Sequence, residues 1–322
     1  MRVIIYGTGA IGGVVGGHLA ATGHDVIFIG RPGHVNAIRQ HGFRFITPTG
    51  TNILHPIAVT KPDEIDFSRD DVVFLCVKGQ NTEEALTDLR KVTEDVPIFC
   101  FQNGIRNEEI ASRYLPRVYG VRVNIGATFL NDGEVLCRRD PPGWLIIGCY
   151  PTDTDDLIGA IAQNLRDAGF FVKVTTDVMP YKWGKLMNNL VNASIAITGV
   201  RGGDNQRINE AVQREAQEIL AQAGLRWVSK DELVQEWPEY KSQPRSKLDD
   251  KSGSSTWQSL TRQQGTVETD FLNGEIVYLA KRLGTQAPLS EKLLSICQEM
   301  AAKHEQPGKY TPIELSRLLG LD

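Results

Sequence analysis

The first 31 residues of the chain, which decide its fold, are MRVIIYGTGAIGGVVGGHLAATGHDVIFIGR. Val3 to Tyr6 is a short apolar run typical of a buried strand, and Val26 to Ile29 is a second one. Between them lie the G-x-G-x-x-G turn Gly7-Thr8-Gly9-Ala10-Ile11-Gly12 and a segment from Ile11 to Thr22 that suits a helix. Strand, glycine turn, helix and strand in this order predict a dinucleotide-binding unit.

The glycines and the residue after the second strand indicate which dinucleotide to expect. Gly7 permits the tight turn, Gly9 lets the backbone approach a pyrophosphate, and Gly12 allows close packing of helix on strand. The helix N-terminus would present N–H groups and a positive dipole end to the phosphates. An acid after the second strand would bind the ribose of NAD, but this strand runs into Gly30-Arg31, and a guanidinium can pair with a 2′-phosphate. The sequence therefore predicts NADP(H).

Three other interpretations of this segment fit less well. Met1-Arg2 and the uncharged run that follows look a little like a secretory signal peptide, but the many glycines make a poor apolar core for one. A methyltransferase also uses a glycine-rich first turn, but it would normally carry an acid where Arg31 stands. A glycine turn without a ligand is the third alternative.

Composition and charge narrow the class of protein. The 322 residues suffice for about two domains. Thirty-five basic and 39 acidic residues give a formal charge of −4, without a basic run of the kind that binds nucleic acid. Apolar stretches such as Val72 to Val77 are too short to span a bilayer. We therefore expect a cytoplasmic protein that binds neither nucleic acid nor membrane.

The cysteines and histidines argue against metal and histidine chemistry. The five cysteines are scattered and include no C-x-x-C pair, so neither a disulfide framework nor a metal site is indicated. No histidine occurs between residues 56 and 303. A histidine acid in a second domain is therefore not expected, and another side chain must handle the proton.

Strand and helix patterns alternate up to about residue 178. Phe43 to Ile46 and Ile53 to Val59 look like a strand pair, and a buried parallel strand lies between Asp71 and Lys78. Further strands are expected at 96–101, 118–123, 133–136, 144–147 and 170–174, and helices at 81–92 and 158–168. This order predicts a Rossmann-type, doubly wound α/β sheet with added antiparallel strands, which forms an NADP-binding domain over residues 1–178.

From about Met179 the strand pattern ends, and residues 179–322 are expected to form an all-helical substrate or dimerisation domain. The helices are expected at 181–198, 205–223, 266–283, 290–303 and 312–319. The polar stretch at 227–254, with a charged run at 246–252, suggests a solvated loop or short helix near a cleft.

Polar side chains follow two consecutive strands of the predicted sheet. Lys78 ends LCVK, and Asn103 follows FCFQ. Alone, Lys78 could be a solvated charge and Asn103-Gly104 a simple turn. Because ligands of open α/β sheets bind at the carboxyl ends of strands, the two together favour a functional site.

The predicted helix from Tyr181 to Thr198 carries a stripe of amides beside a lysine. At about 100° per residue, Asn189 lies near +40° and Asn192 near −20° from Lys185, next to an apolar face. A stripe so rich in amides favours a cleft, although a solvent face or helix packing would also explain it. Lys185, with a free pKa of about 10.4, could polarise a carbonyl and donate a proton as hydride arrives.

Two later segments carry further candidates. Ser255, in Ser254-Ser255-Thr256-Trp257-Gln258, could present its hydroxyl to a carboxylate, and Glu268 opens the next predicted helix. In isolation, Ser255 is an ordinary helix N-cap or loop serine, and Glu268 is an acid in a first helical turn that favours the helix dipole.

The order and spacing of these motifs resemble the ketopantoate reductase (2-dehydropantoate 2-reductase) family over nearly the whole chain. The matching features are G-x-G-A-x-G at Gly7 to Gly12, Arg31, Lys78, Gln-Asn-Gly at Asn103, Ala127, W-x-K-L-x-x-N at Trp183 to Asn189, Ser-Ser-x-x-Gln at Ser255, and E-x-D-x-x-N-G at Glu268 to Gly274.

The resemblance implies NADPH-dependent reduction of a 2-oxo acid, namely ketopantoate to pantoate in pantothenate biosynthesis. It implies that Lys185 is the proton donor and that Asn103 contacts both cofactor and substrate. Lys78 would lie beside the phosphates or the reacting centre. Of the remaining residues, the cofactor would be contacted by Ala127 and Glu268, and the substrate by Asn189 and Ser255.

The chain departs from the family pattern at two places. The family usually has a second asparagine eight residues after the lysine, but position 193 is Ala and Asn192 lies one residue earlier. The angular position favours Asn192 as the substitute. Ser259 replaces the usual aspartate after Gln258, and one extra residue precedes Glu268, so that Ser255 or Thr256 could take the serine's place.

These departures leave alternatives open. The chain could reduce a different 2-oxo acid or ketone with the same fold, or it could be a non-catalytic NADPH-binding sensor. An apolar helix face with Leu272, Ile276 and Leu279 could pack within its own chain or in a homodimer.

Overall fold

The computed structural model describes residues 1–240, 254–263 and 265–321. They form two compact units: residues 1–182 with 233–240, and residues 183–232 with 254–263 and 265–321. The charged run at 246–252 lies outside the described residues. No helix of the described part is both long and apolar enough to cross a membrane.

The strands of the described part lie in the first unit and form two sheets. They are β1 (Arg2–Tyr6), β2 (Val26–Ile29), β3 (Phe43–Thr47), β4 (Gly50–Leu54), β5 (Ile57–Val59), β6 (Asp71–Leu75), β7 (Ile98–Cys100), β8 (Val118–Ile125), β9 (Ala127–Asn131), β10 (Glu134–Cys137), β11 (Gly143–Cys149) and β12 (Phe171–Val174). The large sheet has the order β12-β11-β8-β7-β6-β1-β2-β5, and the small one β4-β3-β10-β9. From β5 to β8 the large sheet is parallel, and β11 joins β8 antiparallel.

Helices follow the same alternation and then continue alone. They are α1 (Ala10–Ala21), α2 (Pro32–His41), α3 (Thr82–Arg90), α4 (Asn107–Ser112), α5 (Asp156–Asp167), α6 (Met179–Asn189), α7 (Asn192–Thr198), α8 (Gln206–Gln222), α9 (Lys230–Glu236), α10 (Ser255–Thr261), α11 (Asn273–Arg282), α12 (Pro288–Ala302) and α13 (Pro312–Leu318).

Helix α1 lies between the two sheets and approaches both closely. A Cβ placed on Gly16 would lie 2.9 Å from Cζ of Phe28 in the large sheet. One placed on Gly13 would lie 2.7 Å from Cγ2 of Val135 in the small sheet. Glycine at these positions therefore lets one helix fill the space between two β layers at close-packed density.

The two faces of the large sheet are covered by different helices. Side chains of α1, α2 and α5 share one apolar cluster with the small sheet, whereas those of α3 and α4 pack on the opposite face. The doubly wound α/β fold expected from the sequence is confirmed, as is the helical C-terminal region.

The strand expected from Ile53 to Val59 is wrong in one respect, because it is two strands in different sheets. Its first part ends β4 of the small sheet, and β5 pairs with β2 at the edge of the large sheet. Pro56 lies between them, and a proline cannot donate the backbone hydrogen bond that a continuous ladder needs.

The continuous helix expected from Tyr181 to Thr198 is also wrong, because the chain breaks it at Leu190 and Val191. The buried Asn273 amide donates to the Leu190 carbonyl at 3.2 Å, and the Ser254 hydroxyl donates to the Asn192 carbonyl at 3.1 Å. Side chains distant in sequence thus satisfy carbonyl groups at the break, and no local helix pattern signals this.

The helix expected from Thr266 to Leu283 begins later than predicted. Glu268–Phe271 is a 3₁₀ turn, Leu272 has a non-helical backbone, and α11 follows. Of the three residues of this apolar face, Leu272 and Ile276 are buried within the second unit, whereas Leu279 is half-buried.

The stretch after Trp227, expected as a solvated loop or a short helix, contains the short helix α9, and its residues 233–240 belong to the first unit. Tyr240 is 9% exposed, and its ring meets the Trp144 ring edge-on at 5.8 Å between centroids. Glu236 accepts from Lys173 at 2.9 Å and from the Tyr181 hydroxyl at 2.6 Å. Aromatic packing against β11 therefore holds a segment whose polar composition suggested solvent.

The half-buried histidine of α1 makes the free energy of unfolding depend on pH. His18 packs edge-on against Phe45 and Phe170, and burial lowers its pKa to about 4. In the unfolded chain a histidine titrates near 6.5, so as pH falls below that value the unfolded state binds the proton first and stability is lost. Between pH 7.5 and pH 5 we expect His18 to account for a loss of about 2 kcal/mol.

Urea unfolding at the two pH values tests this expectation. In His18→Gln the loss between pH 7.5 and pH 5 should shrink by about that amount, whereas in His41→Gln, a change at the exposed end of α2, it should match the wild type. An undiminished loss in His18→Gln would contradict the assignment.

Candidate active site

The candidate residues of the first unit lie in a row along one edge of the large sheet. Neighbouring strands in the order β7, β6, β1 and β2 are parallel, so their carboxyl ends share that edge. Asn103 follows β7, Lys78 follows β6, the turn from Gly7 to Gly12 follows β1, and Arg31 follows β2. At about 4.8 Å per strand the row spans about 15 Å, which suits an extended ligand.

The glycine turn has the close contacts that its sequence predicts. Gly7 has a φ of +102°, and a Cβ there would lie 2.6 Å from the Val77 backbone nitrogen. A Cβ on Gly12 would clash with the Gly7 carbonyl oxygen and lie 2.9 Å from Cγ2 of Ile5. Gly9 differs, because a Cβ there would meet nothing within 4 Å and would point into open space.

Two further features of this turn suit a bound phosphate. Gly9 is the N-cap of α1 and supplies no side-chain acceptor, so the first N–H groups of the helix face the open side without a cap. The hydroxyl of Thr8 is buried and lacks a hydrogen-bond partner. Groups of this kind are what a dinucleotide pyrophosphate uses, so the turn fits such a cofactor.

Arg31 is exposed at the N-cap of α2, directly after β2. The carboxylate of Asp132, from the turn between β9 and β10, lies against Gly33 in the first turn of the same helix. The Arg31 guanidinium and the dipole of α2 favour an anion there, and Asp132 opposes it. Binding of an anion at the N-terminus of α2 therefore depends on the positive charge of Arg31.

The turn that carries Asn103 is held by a buried network of polar side chains. Thr82 donates its hydroxyl proton to Oδ1 of Asn107 at 2.8 Å and accepts from the Gln102 amide at 2.9 Å. The Asn107 amide in turn donates to the Asn103 carbonyl at 2.9 Å. These bonds link the turn of Asn103 to the start of α3 and so restrict the backbone at Asn103.

A buried ion pair supports the same turn. Lys182 and Glu108 form a salt bridge whose side chains are 2% and 0% exposed, and the Lys182 ammonium also donates to the Gln102 carbonyl at 3.4 Å. Removal of one partner from such a pair typically costs about 3–5 kcal/mol, because a buried charge is left unpaired. Ala127, the remaining candidate of this unit, is buried at the start of β9.

In the second unit the polar stripe of α6 is observed beside its apolar neighbours. Lys185 and Asn189, one turn apart, are half-buried, whereas Leu186 and Leu190 are buried. A lysine and an amide at such positions remain within reach of a small molecule, while the leucines anchor the helix in the unit's core.

Asn192 and Ser255 are brought together although 63 positions separate them. The Asn192 amide donates to the Ser255 hydroxyl at 3.4 Å, and both side chains are half-buried. Ala193 and Thr256 are each 1% exposed, so their side chains are more deeply buried than those of Asn192 and Ser255. Between the alternatives that the sequence left open, Asn192 and Ser255 are the accessible ones.

The motif that contains Glu268 combines two kinds of position. Glu268 is half-buried in a 3₁₀ turn, not in the first turn of α11 as expected. Asn273 of the same motif is completely buried and bonds to the chain between α6 and α7. Sequence analysis left Asn273 without a role, and nothing in the local pattern pairs it with Leu190.

No group of three or more histidine, cysteine or acidic side chains suited to a metal ion occurs within 1–240, 254–263 and 265–321.

Two family models match the chain. The model described as ketopantoate reductase PanE/ApbA matches residues 3–152, and the one for the C-terminal part of the same proteins matches residues 177–301. Among curated proteins, the 2-dehydropantoate 2-reductase of Pyrococcus horikoshii is 31% identical over 90% of this chain and 94% of its own length. That of Archaeoglobus fulgidus is 28% identical over 92% of this chain and 96% of its own length.

Solved structures give the same picture. A PanE/ApbA family ketopantoate reductase from Ralstonia eutropha JMP134 aligns with a TM-score of 0.78 and 29% identity, over 94% of this chain and 99% of that one. A D-mandelate dehydrogenase solved with NADH and anilino(oxo)acetate has a TM-score of 0.82 over 94% of this chain and 99% of that one. At 19% identity, this second likeness concerns the fold alone.

Two glycine variants separate packing from ligand binding. Gly12→Ala should lower the free energy of unfolding by about 1–3 kcal/mol, because its Cβ overlaps the Gly7 carbonyl and Ile5. Gly9→Ala should unfold within about 0.5 kcal/mol of the wild type, since its Cβ meets only open space, yet bind NADPH at least about tenfold more weakly. Urea unfolding and fluorescence titration measure the two effects, and NADPH binding unchanged in Gly9→Ala would contradict the assigned phosphate position.

Proposed function

This chain belongs to the ketopantoate reductase family, and we propose that it reduces ketopantoate to pantoate with NADPH. As a member of this family it is an oxidoreductase that acts on a CH–OH group. The observation that carries the cofactor and reaction together is the row from Arg31 to Asn103 along one sheet edge, with the open Gly9 in its middle.

The row offers a matching group to each part of the dinucleotide. Arg31 would pair with the 2′-phosphate, which NADPH has and NADH lacks, and the turn at Gly9 would hold the pyrophosphate on backbone N–H groups. Lys78, one strand further, adds a positive charge near the phosphates. Asn103, beyond it, is the residue we assign to the nicotinamide end and the substrate, with Ala127 and Glu268 as further cofactor contacts.

When bound, the reduced nicotinamide supplies a hydride to the carbonyl carbon of the 2-oxo acid. Lys185 donates a hydrogen bond from its ammonium to the carbonyl oxygen, which draws electron density away from the carbon. As that oxygen gains negative charge, Lys185 transfers a proton to it, and the protonated oxygen becomes the hydroxyl group of the product. The proton is then replaced from solvent, because Lys185 is half-buried and not sealed in the core.

The amides and the serine orient the substrate. Asn189, one turn after Lys185, offers both a donor and an acceptor to the substrate's oxygens. Asn192 and Ser255, which lie within hydrogen-bond distance of each other, form a second pair of donors. Orientation of this kind converts an encounter into a reactive geometry and contributes much of the rate of an enzyme.

One observation favours a second candidate function. Asn192 bonds to Ser255, whereas the family's usual asparagine position holds the buried Ala193. This changes the shape of the polar surface that meets the substrate, so a different 2-oxo acid is the alternative substrate. A panel of 2-oxo acids, followed by NADPH absorbance, decides between the two.

Lys185 is the residue on which turnover should depend most. With the wild type, ketopantoate should give the highest kcat/KM of the panel. Lys185→Ala should lower kcat about 100- to 10,000-fold, because the general acid is lost, while NADPH binds within about threefold of the wild type. The matched control is Lys230→Ala, an exposed lysine of the same unit, and should not change kcat.

Three results would count against this proposal. NADPH binding without turnover of any acid would favour a sensor. Preference for another acid would mean that this acid, and not ketopantoate, is the substrate. A kcat in Lys185→Ala within tenfold of the wild type would remove the lysine from the chemistry.

Arg31 should decide between the two nicotinamide cofactors. Arg31→Gln should raise the KM for NADPH about 10- to 100-fold, since one charge-assisted pair with the 2′-phosphate is lost, and leave the KM for NADH nearly unchanged. The control is Arg69→Gln, which removes the same charge from an exposed residue at the amino end of β6, away from the carboxyl edge of the sheet. It should change neither the KM for NADPH nor the KM for NADH. An equal loss with both cofactors would contradict the assigned contact.

A further inference from the structure

Arg122 is a buried cation and carries the one charge of its strand. It lies in β8, VYGVRVNI, and is 5% exposed. One of its two terminal guanidinium nitrogens, Nη1, is buried and has no hydrogen-bond partner. A buried charge of this kind normally has a carboxylate beside it, because removal of an ion from water is costly.

The partners that Arg122 does have are neutral. Its Nη2 donates to the Tyr240 hydroxyl at 2.7 Å, and its guanidinium carbon lies 4.7 Å from the centre of the Tyr240 ring. Asn124, two residues further along the same face of β8, donates to the same hydroxyl at 3.0 Å. Neither Asp nor Glu forms a salt bridge with Arg122 across the residues that the structure describes.

The neighbouring buried acid cannot serve as the counter-charge. Glu108 lies near Gly120, because a Cβ on Gly120 would lie 3.5 Å from the Glu108 carboxylate. Gly120 and Arg122 are two residues apart and therefore face the same side of β8. Glu108 is already paired with Lys182. The positive charge of Arg122 therefore has no carboxylate paired with it among the described residues.

The position of Arg122 continues the row of candidate site residues along the sheet edge. In the sheet, β8 is the next strand after β7, and Gly120 is the register partner of Cys100. Two residues further along each strand, Arg122 is level with Gln102. Arg122 and Asn124 therefore lie at the carboxyl edge of the sheet, beside the turn of Asn103. This is one strand beyond the residue assigned to the nicotinamide end, which is where a substrate would follow the cofactor along the edge.

We propose that Arg122, with the Tyr240 hydroxyl and Asn124, forms an anion site for the carboxylate of the 2-oxo acid. The inference rests on the proposed function and adds to it the group that recognises the charged end of the substrate. The planar guanidinium fork of an arginine matches the two oxygens of a carboxylate, and its unused Nη1 supplies a donor for one of them. Tyr240 and Asn124 hold the fork in place and are positioning residues.

The first test separates recognition of charge from a structural role. Arg122→Gln should raise the KM for ketopantoate about 10- to 100-fold, while kcat falls less than about threefold and NADPH binding is unchanged. Arg122→Lys, which keeps the charge but loses the fork, should lie between the wild type and Arg122→Gln. The matched control is Arg117→Gln, an exposed arginine at the amino end of the same strand, and should behave as the wild type.

The second test uses probes that do not react. Oxamate, a 2-oxo acid analogue, should bind to the NADP⁺-saturated wild type and at least about tenfold more weakly to Arg122→Gln, whereas its neutral ethyl ester should bind equally to both. If Arg122→Gln does not fold, Arg122→Lys and Tyr240→Phe take its place. Tyr240→Phe keeps the aromatic ring but loses the hydroxyl that holds Arg122, and it should raise the KM for ketopantoate about three- to tenfold.

The outcomes distinguish the two proposals. An unchanged KM in Arg122→Gln, or an equal loss of oxamate and its ester, overturns the anion site and leaves the reductase intact. If the wild type reduces no 2-oxo acid, the proposed function fails, and loss of oxamate binding in Arg122→Gln alone would still establish the anion site.

Discussion

The first unit depends on the close approach of α1 to two sheets at once. Gly13 and Gly16 leave room for Val135 of the small sheet and Phe28 of the large one, and Gly12 rests against the carbonyl of Gly7. Any side chain larger than hydrogen would push the layers apart. The same contacts hold the helix N-terminus directly above the end of β1, so the constraint that packs the core also positions the N–H groups offered to a phosphate.

Three cations lie along the carboxyl edge of the large sheet, although the whole chain has a net negative charge. Arg31, Lys78 and Arg122 follow or lie near the ends of β2, β6 and β8, and the glycine turn adds the dipole of α1 between them. The formal charge of the whole chain is −4, and we expect these three cations to favour anions at this edge in spite of it. A dinucleotide phosphate and a 2-oxo acid are both anionic, and a row of separated cations can bind them side by side.

The sequence predicted those parts that local patterns control, and it missed those that distant contacts control. The glycine turn, the parallel strands and the lysine–amide stripe at Lys185 follow from short-range periodicity. The break before Asn192 depends on Asn273, and the burial of Tyr240 depends on packing against β11; neither partner is near in sequence. Arg122 did carry a signal, because a charge inside an apolar strand is unusual, but its missing counter-charge is visible only in three dimensions.

The most direct test of this account is a crystal structure of the protein with NADP⁺ and oxamate. We expect the 2′-phosphate beside Arg31, the pyrophosphate on the backbone at Gly9, and the oxamate carboxylate on Arg122, with its carbonyl oxygen next to Lys185. A nucleotide bound away from the glycine turn, or an oxamate carbonyl out of reach of Lys185, would contradict the proposed reaction.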